Sequence, residues 1–407
     1  MSVKVGKIAL MISSYLPNLG GMEVGLHNIA LELLKQGKEP VVIAPWRHVK
    51  QLKQLGWDLP YRVEPLPPKI WGLLSLWPKL GLNVLGYWLS RLDRKHKFEF
   101  WHVTMAYPTG CAIVHYAENV KRDARYLIRC AGEDIQRKIS IGYGLRLDPV
   151  LDGLISSYLK RAQTLVAITD SVFDEYIELG ISEERIRRVP NGVPLDRFRK
   201  YVDVDTVRHK YGIGAGDFVL LCVGRNHQKK NYETLIRAFA EWKKVAKCNG
   251  KLVCVGKGVS ALKALTHEHG VCDDVCLIEE LGASQSKSEV PSFPSDDLID
   301  IYRMANLFVF PSRTETFGIA IVEAMAAGLP VIVGDSEGCR DIVNFGEWGL
   351  MVDPEDYLKL AEKITLVASN FNLQKDFQKK SLTRSKEFSW KYVVQLYMSI
   401  YHENERR

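Results

Sequence analysis

Arg225 and Lys230 lie in the loop RNHQKKN, which leaves the strand-like run FVLLCV. Cations in a loop at the carboxyl end of a parallel strand can hold a diphosphate and take up the charge that develops on a leaving group. Glu315 lies in the polar loop SRTET after a second such run, Leu307 to Phe310, and Glu323 follows with seven residues between them, inside FGIAIVEAMAAG. A carboxylate in an otherwise apolar helix must be paired or hydrogen-bonded. Taken as isolated residues, the two acids fit a solvated loop and a core ion pair as well as they fit ligand binding.

Several elements must position these groups. Leu307 to Phe310 is a short apolar run stopped by Pro311, the pattern of a buried parallel strand, and the run from Phe317 is a helix closed by Gly328 and Pro330. At the other end of the chain, Lys7 to Ser13 is a strand, SYLPNLGG a turn-rich loop, the next segment a helix ending at Gly37, and PVVIAP a second strand, which makes a βαβ opening. Gly20 and Gly21 let the backbone pass close to a ligand at that helix start. FEFWHVT (98–104), RYLIRCAG (125–132) and LVAITDS (165–171) read as further strands, and the Asn-Gly turn in RRVPNGVPLDRF (187–198) marks a domain boundary. The turn Gly256-x-Gly258-x-x-Ala261 after KLVCV has the outline of a dinucleotide-binding turn. That supports a rival reading, a nicotinamide-dependent oxidoreductase. Against it, the turn lies on the second βα unit of its domain, and only Glu279 and Glu280 follow the next strand.

The chain has 407 residues, 46% of them apolar, enough for two domains. The eight cysteines show no CxxC pair or metal spacing and read as reduced core thiols, and Cys272 with Cys276 does not make a zinc site. No run approaches the roughly 20 apolar residues of a spanning helix, and the start runs directly into a strand, so a cytoplasmic location is expected. Residues 1–200 hold 29 Lys and Arg against 20 Asp and Glu, and the remainder 26 against 28. A basic first half suits an anionic partner, a phospholipid surface or a diphosphate-linked acceptor, as well as it suits an ordinary solvated surface. Residues 70–97 combine Trp71, Trp77, Tyr87 and Trp88 with Arg91, Arg94, Lys95 and Lys97. They fit either a core helix kinked at Pro78 or an interfacial segment on the inner face of a membrane.

The stretch Leu307 to Asp335, with PSRTE before the first acid and AMAAGLPV after the second, resembles the E-x7-E segment of the retaining glycosyltransferases of family 4, which have the GT-B fold. The likeness extends through Pro190-Asn191-Gly192-Val193, the Gly-Arg and Lys-Asn of the 224–231 loop, and the Thr-Leu-Ile-x-Ala-Phe that follows. It implies an α/β chain of two Rossmann-like doubly wound domains facing across a cleft. Residues 1–192, with a terminal helix 389–407 packed back on them, would form the acceptor side. Residues 193–199 would be a linker and 200–388 the nucleotide-sugar domain. By resemblance, Arg225, Lys230 and Glu315 are catalytic, and Gly20, Gly21, Gly256, Thr316, Phe317, Gly318, Ile319 and Glu323 bind the donor, with Glu323 on the ribose. The histidine that the family often carries in the segment corresponding to RYLIRCAG is replaced by Ala131, which leaves His102, Tyr107 and Asp134 as candidates for its role and Arg146 as an acceptor or phosphate contact. The expected reaction is retaining transfer of a hexose-type sugar from a nucleotide-diphosphate donor to a glycan or lipid-linked acceptor, in polysaccharide or glycolipid synthesis. It would proceed without metal or cofactor, since no Asp-x-Asp motif is present and the two loop cations can fill the metal's electrostatic role. No nucleic-acid partner is expected. An epimerase of the same fold and a non-catalytic sugar-nucleotide binding module are the alternatives within the fold.

Overall fold

The computed structural model describes residues 6–279, 281–282 and 291–403. Glu280, half of the Ser/Pro-rich loop 282–297 (residues 283–290) and residues 404–407 of the expected terminal helix lie outside these. The chain divides into two compact units. The first holds residues 6–191, Pro291 and 390–403, and the second holds most of what lies between.

The first unit is a sheet of seven strands: β1 (Lys7–Met11), β2 (Glu39–Ala44), β3 (Arg62–Pro65), β4 (Phe100–Thr104), β5 (Tyr126–Arg129), β6 (Leu165–Ala167) and β7 (Ile186–Arg188). They are ordered β3-β2-β1-β4-β5-β6-β7. The second has six: β8 (Phe218–Val223), β9 (Gly250–Val255), β10 (Val275–Ile278), β11 (Leu307–Phe310), β12 (Val331–Gly334) and β13 (Leu350–Val352), ordered β10-β9-β8-β11-β12-β13. Every pairing is parallel. Helices cover such sheets on both faces, so the central strands are continuous apolar runs rather than alternating ones. In both sheets the strand order reverses direction once, between β1 and β4 and between β8 and β11. A crevice forms above the carboxyl ends at such a reversal, and ligands of open α/β sheets bind there.

Strand ends differ from the sequence expectation where side chains take the backbone donors. β5 stops at Arg129 rather than running to Gly132, because Asp134 Oδ1 accepts the N–H of Ala131 (3.0 Å) and of Gly132 (2.9 Å). β4 begins at Phe100 rather than Phe98, whose N–H donates to Asp93 Oδ1. β3 was not anticipated; it is four residues long, an edge strand closed by Pro65, too short to show a period. The helix of the central stretch is Ile319–Ala326, two residues shorter at its start because Gly318 is left-handed (φ +89°).

Residues 70–97 form two helices, Ile70–Leu76 and Pro78–His96. Leu74, Leu82, Leu85, Leu89 and Leu92 enter the core, whereas Leu76 (77% exposed), Trp77 (65%), Leu80 (52%) and Tyr87 (66%) stay in solvent. Among the described residues no helix is long and apolar enough to cross a membrane. The terminal helix Trp390–Glu403 belongs to the first unit and buries Trp390, Val393, Val394, Tyr397, Ile400 and Tyr401. Gly25, on the helix Gly21–Lys35, faces it: a Cβ there would lie in ordinary contact with the Trp390 ring at 3.6 Å.

Gly256 joins the ends of β9 and β8 with φ +147°, and a Cβ on it would stand 2.2 Å from the Gly224 carbonyl oxygen. Gly256→Ala should therefore destabilise the second unit by about 3 kcal/mol, from backbone strain and the clash together. Gly153, exposed in the helix Pro149–Arg161 with nothing within 4 Å of its Cβ position, should behave oppositely, Gly153→Ala adding about 0.5–1 kcal/mol. Thermal melts of the two variants check both signs.

Candidate active site

The loops that leave β8 and β11 flank the strand-order reversal of the second sheet, and they are tied together by their backbones. Arg313 donates its N–H to the Lys229 carbonyl (2.7 Å) and Nη1 to the Gln228 carbonyl (2.8 Å). Its guanidinium forks onto Glu355, Nε to Oε1 at 2.5 Å and Nη2 to Oε2 at 3.0 Å. Ser312 Oγ stands 2.7 Å from the same Lys229 carbonyl and 3.1 Å from Glu315 Oε1, and its one proton serves either. This lacing sets the Lys230 ammonium directly on Glu315 Oε1, in a pair that is largely buried on both sides, and 4.6 Å over the Phe310 ring. Arg225, at the mouth of the β8 loop, is exposed and has no ion-pair partner among the described residues.

The two glutamates are driven in opposite directions. Burial pushes the Glu315 carboxyl up, but the charges of Lys230 and Lys229, with hydrogen bonds from Lys230 and Ser312, outweigh it and hold the group below the usual carboxylate range. Glu323 is buried in its helix and accepts a hydrogen bond from Tyr302 OH (2.8 Å to Oε2). Burial raises its pKa to about 7, and the Tyr302 bond and the Arg197 charge offset it only in part. Glu315 is therefore a fixed anion and Glu323 a carboxyl close to its titration point at neutral pH.

Thr316, Phe317 and Gly318 carry the chain from Glu315 into the helix start at Ile319, whose backbone N–H groups face the carboxyl ends of the strands. Phe317 is fixed edge-on against Phe388 (5.7 Å), and Gly338 donates its N–H to the Glu315 carbonyl at 3.1 Å. No side chain fits at Gly338, where a Cβ would come within 2.6 Å of the Thr316 carbonyl carbon. The Gly256 turn lies beside the loop that leaves β8, since its Cβ position is 3.2 Å from the Arg225 backbone nitrogen. Its following N–H groups, on Gly258 and Ser260, are held by the Glu279 carboxylate at 2.8 and 3.0 Å. Donors that a dinucleotide phosphate would use are thus already taken.

In the first unit, Gly20 and Gly21 stand at the start of the helix Gly21–Lys35, beyond β1. Of the four acceptor-side candidates, three are interior. His102 lies wholly inside β4, with Nδ1 on Tyr401 OH (2.8 Å). Asp134 holds backbone N–H groups, including that of Ala106 at 2.6 Å, and so shapes the loops after β4 and β5. Arg146 is bound to Asp152 (2.7 Å) and Glu175 (3.1 Å). Tyr107 alone is half-exposed, its OH donating to the Leu74 carbonyl at 3.3 Å. The sequence reading assigned nothing to Ser312, Tyr302 or Arg197, which set the state of the two glutamates. Ser312 lies inside the PSRTE signature and was legible as part of it. Tyr302 and Arg197 carry no local signal.

Two parallel-sheet units, each with the strand order of a dinucleotide-type fold, define a GT-B architecture. The structure superposes with a TM-score of 0.72 on Anabaena HepE in complex with UDP-glucose, at 19% identity over 98% of this chain and 100% of that one. Residues 19–197 match the family model described as Glycosyltransferase Family 4, and residues 203–384 the one described as Glycosyl transferases group 1. Between them the two matches cover most of the chain, which belongs with the glycosyltransferases of the GT-B fold. A D-inositol 3-phosphate glycosyltransferase of Catenulispora acidiphila is 32% identical over 250 residues, 60% of this chain and 58% of that protein's own length. The N-acetyl-alpha-D-glucosaminyl L-malate synthase of Bacillus anthracis is 21% identical over 98% of this chain and 97% of its own.

The state of Glu323 is open to measurement. Below its ordinary value of 4.5 the carboxyl is protonated in the folded and the unfolded chain alike and makes no difference. Between 4.5 and about 7 the unfolded chain gives up the proton while the folded one keeps it, so stability falls with rising pH and levels off above 7. The fall amounts to about 3 kcal/mol by linkage. Without ligand, the melting temperature of the wild type should therefore drop between pH 5 and pH 8 by roughly 5–10 °C more than that of Glu323→Gln.

Proposed function

We propose that the chain is a retaining, metal-independent hexosyltransferase, taking its sugar from a nucleoside-diphosphate donor and acting on the cytoplasmic face of a membrane. The acceptor is a lipid-linked sugar or glycan of polysaccharide or glycolipid synthesis. The observation that carries this reading is the Lys230–Glu315 pair beside Arg225, fixed by both loops at the strand-order reversal of the second sheet. Arg225, Lys230 and the N–H groups at Ile319 would hold the diphosphate and stabilise its charge as the bond to the sugar anomeric carbon breaks. Glu315, held anionic, would accept hydrogen bonds from sugar hydroxyls. Glu323 would exchange its Tyr302 partner for the ribose hydroxyls. Attack by the acceptor oxygen on the face the diphosphate leaves retains configuration, and the acceptor proton passes to the departing phosphate oxygen. The UDP-glucose held by HepE and the sugar-transferring relatives support a nucleotide-sugar donor.

The test is nucleotide release from UDP-, GDP- and ADP-sugars with EDTA present, dependent on added acceptor, with the product anomer read by NMR. Arg225→Ala should lower turnover by roughly 10²-fold or more, about 3 kcal/mol in the transition state, with an unchanged melting temperature because the side chain is exposed. Lys230→Ala should lower turnover similarly and also melt earlier, because it takes away the ion-pair partner of the buried Glu315 carboxylate. Near-wild-type turnover of Arg225→Ala would contradict the assignment.

Support for this acceptor class comes from the exposed group Leu76, Trp77, Leu80 and Tyr87, with Lys79 and Arg91 exposed beside it. Apolar and aromatic side chains held out in solvent next to cations suit the interface of an anionic bilayer, and so a lipid-linked acceptor. Replacing Leu76, Trp77 and Leu80 together by Ser should reduce co-sedimentation with anionic vesicles by about tenfold or more without lowering the melting temperature. Equal sedimentation of variant and wild type would leave the acceptor soluble.

A further inference from the structure

A second polar cluster lies in the interior of the first unit. Thr104 on β4 and Arg129 on β5 are register partners, and His102 is two residues before Thr104, so all three project to one face of the sheet. The terminal helix covers that face, with the Tyr397 ring 4.5 Å from His102 and Trp390 seven residues earlier on the same helical stripe. Trp390 and Asn191 meet at Gly25, and Asn191 Oδ1 accepts from Arg129 Nη2, which closes the group. Arg129 is 2% exposed, and none of the other four exceeds 6%.

Four of the five carry a polar atom with no hydrogen-bond partner among the described residues, Arg129 Nε, His102 Nε2, Thr104 Oγ1 and Trp390 Nε1, and the fifth, the Tyr397 hydroxyl, meets the Arg129 guanidinium and keeps its own proton to donate. The Arg and Trp N–H groups can only donate, and the two hydroxyls donate freely. His102 Nδ1 sits 2.8 Å from Tyr401 OH; accepting that proton leaves the ring hydrogen on Nε2, a fifth donor. The cluster therefore has a uniform polarity.

It also has one uncompensated charge. The guanidinium does not deprotonate, and among the described residues its side-chain partners are the neutral Asn191 and the neutral Tyr397 hydroxyl, with no carboxylate within ion-pair distance. Asp134, close by in sequence, is occupied by the backbone N–H groups of Ala106, Ala131 and Gly132. His102 adds no charge, because burial and the Arg129 charge push its pKa down to about 3. Water would satisfy the donors but would leave a bare cation in the core, a condition strongly unfavourable for folding.

We infer that these five side chains form a binding site for one small monovalent anion of the halide class, centred on Arg129 and closed over by the terminal helix. A single negative charge balances the guanidinium, and a donor-only, enclosed lining suits a compact ion rather than phosphate or a carboxylate ligand. Because Arg129 ends β5 and Tyr397 and Trp390 belong to the last helix, the ion ties the middle of the sheet to that helix.

Melting of the full chain in potassium gluconate progressively replaced by potassium chloride, at fixed ionic strength, tests this. Gluconate is a carboxylate far bulkier than a halide ion. The wild type should melt higher as chloride rises, by about 3–5 °C for each tenfold increase above the dissociation constant. Arg129→Met should lose the chloride dependence, and Trp390→Phe, which removes one donor and no charge, should shift it to about tenfold higher chloride. Crystals of the wild type grown in bromide should show an anomalous peak within contact of Arg129 Nε, a readout that needs no variant to fold. A melting temperature indifferent to chloride, a response undiminished in Arg129→Met, or bromide crystals with no anomalous density at Arg129 overturns the proposal.

Discussion

A lysine ammonium seated on a glutamate in a nearly dry loop is the contact on which the second unit's crevice depends. Desolvating two such charges is unfavourable by several kcal/mol, so the pair persists only where geometry and further hydrogen bonds hold it. Here the Ser312 hydroxyl, the Arg313 backbone and the forked Arg313–Glu355 pair all converge on the Lys229–Lys230 turn. Glu315 consequently stays ionised despite its burial, whereas Glu323, with a phenol as its partner, lies close to its titration point at neutral pH. Two acids from one stretch of sequence thus differ in how firmly they hold their charge, one suited to answering positive charge and the other to exchanging hydrogen bonds with hydroxyls.

The sheets were legible because buried parallel strands leave unbroken apolar runs, and β1, β2, β8, β9 and β11 were read on that basis. β3 escaped because RVEP lies at an edge and is too short for a period. Arg225, Lys230 and Glu315 could be placed because strand ends and loops are visible in sequence. What fixes their charge, Ser312 and the Lys229 carbonyl, depends on two loops 80 residues apart meeting, which no local pattern reports. Residues 70–97 were ambiguous for a different reason. Composition records how many apolar side chains there are but not which face they take, and the two helices send Leu74, Leu82 and Leu85 inward and Leu76, Trp77 and Leu80 outward.

Arg129 shows the opposite blindness. In RYLIRC a charged residue reads as the end of a half-exposed strand, and only the sheet order, with β5 between β4 and β6, puts it in the interior. The two buried cations therefore rest on different solutions. Lys230 has a carboxylate from its own chain, so that breaking the pair strands a charge, whereas Arg129 is surrounded by neutral donors that leave its charge to be met from outside the chain.

The terminal helix Trp390–Glu403 has a consequence for the order in which the chain matures. His102 meets Tyr401 across 299 positions of sequence, and Tyr397 and Trp390 seal the same face. During synthesis, residues 6–191 emerge well before the helix that completes their core. At ribosomal rates of roughly 5–20 residues per second, the interval is about 10–40 s. Over that time the face of β4 and β5 carrying His102 and Arg129 stands uncovered, its apolar neighbours open to a chaperone or to another nascent chain. The first unit to be made is thus the last to be finished, and a chain cut short before Trp390 would leave it permanently unsealed.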